Sequence, residues 1–436
     1  MNDTIQNPAR AAEAGSDATR ADVAVVGLGY IGLPTAAMFA SSGKRVLGID
    51  IARRVVDAVN AGETPIEETG LPELVRRCVD GGSLRAAIAP AAADAFIIAV
   101  PTPADHDTHA PDVRYVEAAA RSIAPVLAKG NIVVLESTSP VGTTQSMARL
   151  LASLRPDLRF PLDGETAPDV HVAYCPERII PGRMLQELVE NDRIIGGMSP
   201  SCTERVTALY HAFVRGACIP ADDRTAELCK LTENAFRDVN IAFANELSMI
   251  CGDWGLDAWK VIALANHHPR VNILNPGPGV GGHCIAVDPW FIVSGAPERA
   301  RLIRTAREVN DAKPMYVLEQ VAHAVAAASV PNPRIACMGL TYKPDVDDFR
   351  ESPSLQIARA IAARYPGRVT CIDPYSDAIG HSGEATDGIV FGPLESTVQA
   401  ADVIVMLVGH SAFRSMQRPA GKAVIDATGF WNTTKS

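Results

Sequence analysis

Short apolar runs, each closed by a glycine or a polar residue and followed by helical periodicity, set the rhythm of the first half of the chain. Asp22-Val23-Ala24-Val25-Val26 is one such run, and a helical pattern starts at Ile31 and continues through Ala36, Ala37, Met38, Phe39 and Ala40. Further runs over 45–49, 94–100, 132–135 and 170–173 predict strands, with helices over about 112–128 and through Met147 and Leu150. This alternation is that of an α/β sheet with parallel strands. A long helix is predicted over about 224–254, with no proline or glycine before Gly252. Leu228, Leu231, Phe236, Val239, Ile241 and Phe243 surround its polar stripe, and a helix apolar nearly all round is expected to be buried. It could equally form the seam of a dimer. Another helix runs from about Glu298 towards Ala328, Pro331-Asn332-Pro333 marks a boundary, and strands over 334–338, 369–372 and 403–407 predict a second α/β unit.

Between the first strand and helix lies Gly27-Leu28-Gly29-Tyr30-Ile31-Gly32, a GxGxxG in the strand-to-helix setting of a dinucleotide site. Gly27 permits the tight turn, Gly29 admits the pyrophosphate, and Gly32 lets helix and strand pack closely. The second strand ends in Asp50, about the expected ~20 residues on. A carboxylate there accepts from a ribose hydroxyl and repels a 2′-phosphate, which selects NAD over NADP. Asp50 also suits the cap of the next helix. Thr102 and Thr138 sit in loops at strand ends, where open α/β sheets bind ligands, although threonines also serve there as caps and turn formers. The fold class is α/β, with an N-terminal Rossmann dinucleotide-binding domain, a central long-helix region and a C-terminal Rossmann-like α/β domain that lacks GxGxxG.

Cys284 stands in Gly277-Pro278-Gly279-Val280-Gly281-Gly282-His283-Cys284, a loop able to bring its backbone close to a ligand. Eight other cysteines are scattered without a CxxC pair or a Cys/His cluster, which fits reduced thiols and neither a disulfide framework nor a metal site. On the long helix Lys230, Asn234 and Arg237 share one face, and polar residues on a buried helix need partners. His267, His268 and Arg270 suit phosphate or sugar hydroxyls. Tyr342, Lys343 and Arg350 occupy the first loop of the C-terminal unit, where a ligand would sit.

With 436 residues, 47% hydrophobic and 21% charged, the chain is long enough for two or three domains. Its net charge of −10 argues against a general nucleic-acid or anionic-membrane surface. No apolar run of about 18 residues or signal core appears, so residues 1–20 read as a flexible tail on a cytoplasmic protein.

These residues leave three readings: a thiol-dependent dehydrogenase, a two-electron hydroxyacid dehydrogenase with an idle cysteine, and a non-catalytic nucleotide-sugar or NAD sensor. The run from Gly277 to Phe291, with His-His-Pro-Arg at 267–270 and Tyr-Cys-Pro-Glu-Arg at 174–178, resembles the UDP-glucose/UDP-mannuronate dehydrogenase family. It looks most like the branch that acts on UDP-N-acetyl-D-mannosamine; the UDP-glucose branch usually has a proline where this chain has Ala286.

The resemblance implies four-electron oxidation of the sugar C6 alcohol to a carboxylate, for surface polysaccharide precursors, through a thiohemiacetal and thioester on Cys284. UDP-glucose and UDP-N-acetylglucosamine are the competing substrates. Lys230 is implied as acid/base and oxyanion stabiliser, Asn234 as holder of a water or oxyanion, Asp288 and Glu177 as proton handlers, and Thr138 as a guide for the water. Arg178, Ile179, Lys230, Asn234, Arg237, His268, Arg270, Gly281, Tyr342 and Lys343 are implied to bind the UDP-sugar. Arg350, Thr102, Thr138 and the backbone at Tyr30 and Ile31 would join Gly27, Gly29, Gly32 and Asp50 around NAD. The expected domains are NAD-binding over 21–220, central helical, dimerising and catalytic-loop over 221–330, and UDP-sugar-binding over 331–436. A homodimer through the long helix is expected, with neither nucleic acid nor membrane nor metal as a partner.

Overall fold

The computed structural model describes residues 20–432 except 67, 106–107, 166, 181, 283 and 382–387. The expected tail lies outside the described residues up to Arg20. Two compact units, 1–231 and 232–436, divide within the long helix Asp223–Asp253.

The first unit is built on eight strands: β1 (Ala21–Val26), β2 (Val46–Ile49), β3 (Leu84–Ala87), β4 (Ala93–Ile98), β5 (Ile132–Leu135), β6 (His171–Tyr174), β7 (Arg193–Gly197) and β8 (Cys218–Asp222). Their order is β3-β2-β1-β4-β5-β6-β7-β8. All neighbours are parallel except β6 and β7. The strands are apolar on both faces because both faces are covered. Val23 and Val25 pack with Leu33, Phe39, Leu71 and Val206 on one side. Ala24 and Val26 pack with Val116, Ile123, Met147 and Leu151 on the other. The apolar signal fades at the sheet margins, where Arg85 on β3 and Ile219 on β8 are exposed. Pro220 is tolerated in β8 because that strand is an edge.

Charges are buried where β5, β6 and β7 come together. Arg193 donates to Glu136 Oε1 at 3.3 Å and to Glu177 Oε2 at 2.7 Å, and its guanidinium lies 4.7 Å from the centre of the Tyr210 ring. Tyr210 Oη and Thr35 Oγ1 donate to the two Glu136 oxygens. Two carboxylates thus share one cation, and burial pushes the Glu136 carboxyl up to about 7 against the pull of Arg193.

The second unit contains β9 (Ile335–Met338), β10 (Val369–Ile372), β11 (Val403–Met406) and β12 (Ala423–Asp426), all parallel in the order β10-β9-β11-β12. The helices Pro353–Arg364 and Arg301–Ala327 contribute Leu355, Ile361, Val317 and Val321 to its core.

The long helix buries Leu231, Ala235, Ala242 and Ala244 but exposes Leu228 and the larger Phe236 and Phe243, which corrects in part the expectation that its apolar residues are buried. Phe236, Phe243 and Ile250 are exposed, whereas Asn234, Asp238 and Asn245 are buried and hydrogen-bonded. Asp238 accepts from Arg307 Nη1 at 2.6 Å and from Asn310 Nδ2 at 2.8 Å. Asn245 Nδ2 donates to Asn310 Oδ1, and Asn245 Oδ1 accepts the Gly277 N–H, each at 2.9 Å. A buried polar chain therefore runs from Arg307 to the start of the glycine-rich loop.

Two outcomes test this reading of the cores. Glu136 binds its proton more tightly when folded, so its contribution to stability is complete below the ordinary value of 4.5 and is lost as pH rises through about 7. Denaturation curves across that window should flatten in Glu136→Gln. Arg307→Ala leaves Asp238 without its buried cation and should cost about 3–5 kcal/mol in urea denaturation, whereas R307M/D238L should cost less.

Candidate functional site

The nucleotide-binding residues gather at the carboxyl ends of β1, β2, β4 and β5, where the strand order reverses beside β1. Gly27 has φ 93°, and a Cβ there would lie 2.4 Å from the Ala99 carbonyl oxygen. At Gly32 a Cβ would fall 1.8 Å from the Gly27 oxygen. At Gly29, by contrast, no protein atom lies within 4 Å of a Cβ position, which leaves the room a pyrophosphate needs ahead of the helix Gly32–Ser41. Tyr30 is exposed and Ile31 half-buried beside it.

Asp50 accepts the Leu28 N–H at 2.9 Å and the Ala52 N–H at 2.8 Å. It therefore braces the glycine turn and the residue ahead of the helix Arg53–Asn60 without capping that helix, and each carboxylate oxygen keeps acceptor capacity for a ribose hydroxyl. Thr102 Oγ1 donates to the Thr138 carbonyl at 2.5 Å, so the structure brings these two threonines together. These residues fit NAD.

In the second unit Cys284 is exposed, and its carbonyl accepts from Val287 N at 3.0 Å and Asp288 N at 2.8 Å, closing a turn into the helix Asp288–Gly295. Asp288 is buried and accepts from Asn234 Nδ2 at 2.5 Å. The turn and this bond bring Asn234, Asp288 and the backbone of Cys284 into one cluster, and Lys230 lies one helical turn before Asn234. All nine cysteines are thiols, and Cys284 alone among them is exposed. Burial pushes the Cys175 thiol up to about 12, which removes it as a nucleophile at neutral pH. His283 lies outside the described residues.

The glycines before Cys284 serve a close approach, and what they approach is the first loop of the C-terminal α/β unit. A Cβ at Gly281 would lie 2.3 Å from the Glu351 carbonyl oxygen, and one at Gly279 would lie 2.9 Å from Pro353 Cβ. Gly282 has φ 83°, and its Cβ position is 3.0 Å from the Tyr342 ring. The loop bearing Tyr342 and Lys343 is thereby packed against the loop bearing Cys284. Lys343 Nζ lies 5.5 Å from the centre of the Tyr342 ring. Arg350 is held by Asp348 through two bonds of 2.8 and 2.7 Å.

Other expected site residues are placed less centrally. Glu177 accepts from Arg193 and from the Arg178 N–H, and the Arg178 guanidinium is itself engaged by the Asp192 carbonyl. Ile179 packs against the first core. Arg237, His268 and Arg270 are exposed, and His268 Nδ1 accepts the Arg270 N–H at 3.3 Å. Among the described residues no group of three or more His, Cys, Asp or Glu could hold a metal ion, and no helix is long and apolar enough to cross a membrane.

Sequence reasoning missed Arg193, Asn245, Arg307, Asn310, Asp373 and His410, all buried. A buried-acid signal was present at Glu136, directly after an apolar strand, and it implied a cation partner. Nothing in the spacing marked that partner as Arg193.

Three segments of the chain match the UDP-glucose/GDP-mannose dehydrogenase family: the NAD binding domain over 21–214, the central domain over 224–312 and the UDP binding domain over 336–433. The UDP-N-acetyl-D-mannosamine dehydrogenase of Salmonella typhi is 54% identical over 418 residues, covering 94% of this chain and 99% of that one. The NDP-N-acetyl-D-galactosaminuronic acid dehydrogenase of Ralstonia nicotianae is 54% identical over 415 residues, covering 95% and 97%. The solved structure of the UDP-D-ManNAc dehydrogenase from Pyrococcus horikoshii superposes with a TM-score of 0.83 at 37% identity, covering 95% of this chain and 100% of that one. The chain belongs to the UDP-glucose/GDP-mannose dehydrogenase family, with its NAD-binding, central and UDP-binding domains in that order.

Proposed function

We propose that the chain oxidises the C6 alcohol of UDP-N-acetyl-D-mannosamine to the carboxylate, with Cys284 carrying the sugar between the two oxidations. The observation that carries this reading is an exposed thiol, on the turn into a helix whose first residue, Asp288, is hydrogen-bonded to Asn234. The functional domains are read as 21–220 for the cofactor, 221–330 for catalysis and dimerisation, and 331–436 for the UDP-sugar.

NAD, when bound, accepts one hydride in each of the two oxidations. Lys230 takes the alcohol proton in the first, which leaves an aldehyde. The Cys284 thiolate then forms a C–S bond to the aldehyde carbon, and protonated Lys230 with Asn234 stabilises the oxyanion. Loss of the second hydride from that carbon leaves a thioester. Water adds to the thioester carbon, the C–S bond breaks, the thiolate departs, and Asp288 takes up the water proton. Thr138 helps place the water. Glu177, held by Arg193, is read as a second proton handler for that water.

The sugar is read from the relatives and from Ala286. A second reading, a UDP-N-acetylgalactosamine-type substrate, is favoured by the equal identity to the Ralstonia nicotianae enzyme. Both carry an acetamido group at C2, which sets them apart from UDP-glucose. The nine thiols suit a reducing cytoplasm. A homodimer is read from the exposed Phe236, Phe243 and Ile250, which recur every seven residues along one helix face.

Purified protein given NAD and a panel of UDP-sugars should form two NADH per molecule of its substrate, followed by absorbance; one NADH per sugar supports the hydroxyacid-type route instead. Cys284→Ser should make no acid, and full acid production by it rejects the covalent role. Asp288→Asn should slow acid release by about 10²-fold in single-turnover assays. Phe243→Glu should shift the mass seen by light scattering from dimer to monomer, and an unchanged mass removes the helix from the interface.

A further inference from the structure

One imidazole, buried outside the cluster described above, ties together three strand-end loops of the C-terminal sheet. His410 follows β11 and is fully buried. Its Nδ1 accepts the backbone N–H of Asp345 at 3.1 Å, in the loop after β9. Since that N–H only donates, the neutral ring carries its proton on Nε2. Nε2 lies 3.3 Å from Thr341 Oγ1 and 3.3 Å from Asp373 Oδ2, the aspartate that follows β10. The Thr341 hydroxyl hydrogen is already donated to the Lys343 carbonyl at 2.9 Å, so its oxygen is the acceptor towards the ring. Asp373 in turn accepts the Leu340 N–H at 2.6 Å and the Tyr375 N–H at 2.8 Å.

Lys343 is consequently clamped from both sides. Its carbonyl is held by Thr341, and the residue two positions on is held by Nδ1. Asp345 adopts φ 59°, a left-handed conformation uncommon outside glycine and tolerated best by Asp and Asn when neighbours hold it. Two neighbours enforce it here: His410 at the backbone N–H, and Ser411, whose N–H donates to the Asp345 carboxylate at 2.7 Å. Without the ring this turn has an alternative, and a loop that samples it presents Tyr342 and Lys343 in place for only part of the time.

We propose that His410 is a positioning residue for the UDP-sugar, holding Lys343 and Tyr342 in the binding arrangement without touching the ligand itself. This rests on the reading that Tyr342 and Lys343 bind the UDP-sugar. The apparent dissociation constant scales inversely with the fraction of molecules in the competent form, so a loop held one-tenth of the time weakens binding about tenfold.

The test is calorimetric titration of the full-length protein with UDP, alongside steady-state kinetics. Lys343→Met serves as the reference for the reading, and His410→Ala, His410→Gln and His410→Asn test the proposal, so that it survives the failure of any one variant to fold. The expected result is that Lys343→Met and His410→Ala both weaken UDP binding by about tenfold or more. The sugar KM should rise in step in His410→Ala, while kcat and the NAD KM stay within about twofold. His410→Asn, whose Oδ1 can still accept the Asp345 N–H, should lose less than His410→Gln. UDP binding that falls in Lys343→Met but is unchanged in all three His410 variants overturns the proposal alone. Binding unchanged in Lys343→Met overturns the reading of the loop and the proposal with it. An NAD KM that rises in the His410 variants as much as the sugar KM marks general damage and also overturns it.

Discussion

Between residues 279–282 and the segment 342–353 there is no room for side chains on the glycines, and that close approach governs the placement of the thiol. Backbone meets backbone at Gly281 and Glu351, and ring meets backbone at Tyr342 and Gly282. The Gly281 contact excludes even a methyl group, and one at Gly282 would press on the Tyr342 ring at 3.0 Å, so sterics constrain the register between the two loops. The other end of the thiol loop is tied at Gly277 to Asn245 and, through Asn310, to Asp238 and Arg307. Cys284 thus hangs between a packed joint and a buried polar chain, with its carbonyl closing the turn that begins the next helix.

The long helix explains how polar residues come to lie behind that loop. Its inward face carries Asn234, Asp238 and Asn245, each matched by a specific donor or acceptor, while Phe236, Phe243 and Ile250 face outward. Burying these polar groups unmatched would cost more than exposing the apolar side chains; the network pairs one Asp238 oxygen and leaves Asp238 Oδ2 and Arg307 Nε without a partner. The exposed apolar side chains are a liability for a monomer and suit a self-complementary surface.

Much of the architecture was legible because parallel strands covered on both faces announce themselves as continuous apolar runs, as 22–26 and 132–135 do. The edge strands β3 and β8 were illegible for the converse reason: Arg85 and Pro220 interrupt them, and only their position in the sheet admits those residues. Among the candidate site residues, Gly27, Gly29 and Gly32 carry a local conformational demand that a single sequence displays. The glycines at 279, 281 and 282 displayed the same demand, but its object, the loop around Tyr342 and Glu351, is some sixty residues distant and had no local sign. Arg193 and His410 are single polar residues whose meaning resides in their partners. Long-range pairing of that kind leaves no periodicity to read. The burial of the long helix was misjudged because counting apolar positions does not reveal which face meets the core.

In the proposed reaction the sulfur of Cys284 becomes acylated by the oxidised sugar carbon. Rapid acid quench of the working protein, proteolysis and mass analysis should find the peptide spanning residue 284 heavier by the mass of the UDP-sugar acyl group, with label appearing and decaying at the rate of acid formation. Acid that accumulates while that peptide stays unmodified, or label that settles on another of the nine cysteines, contradicts the account.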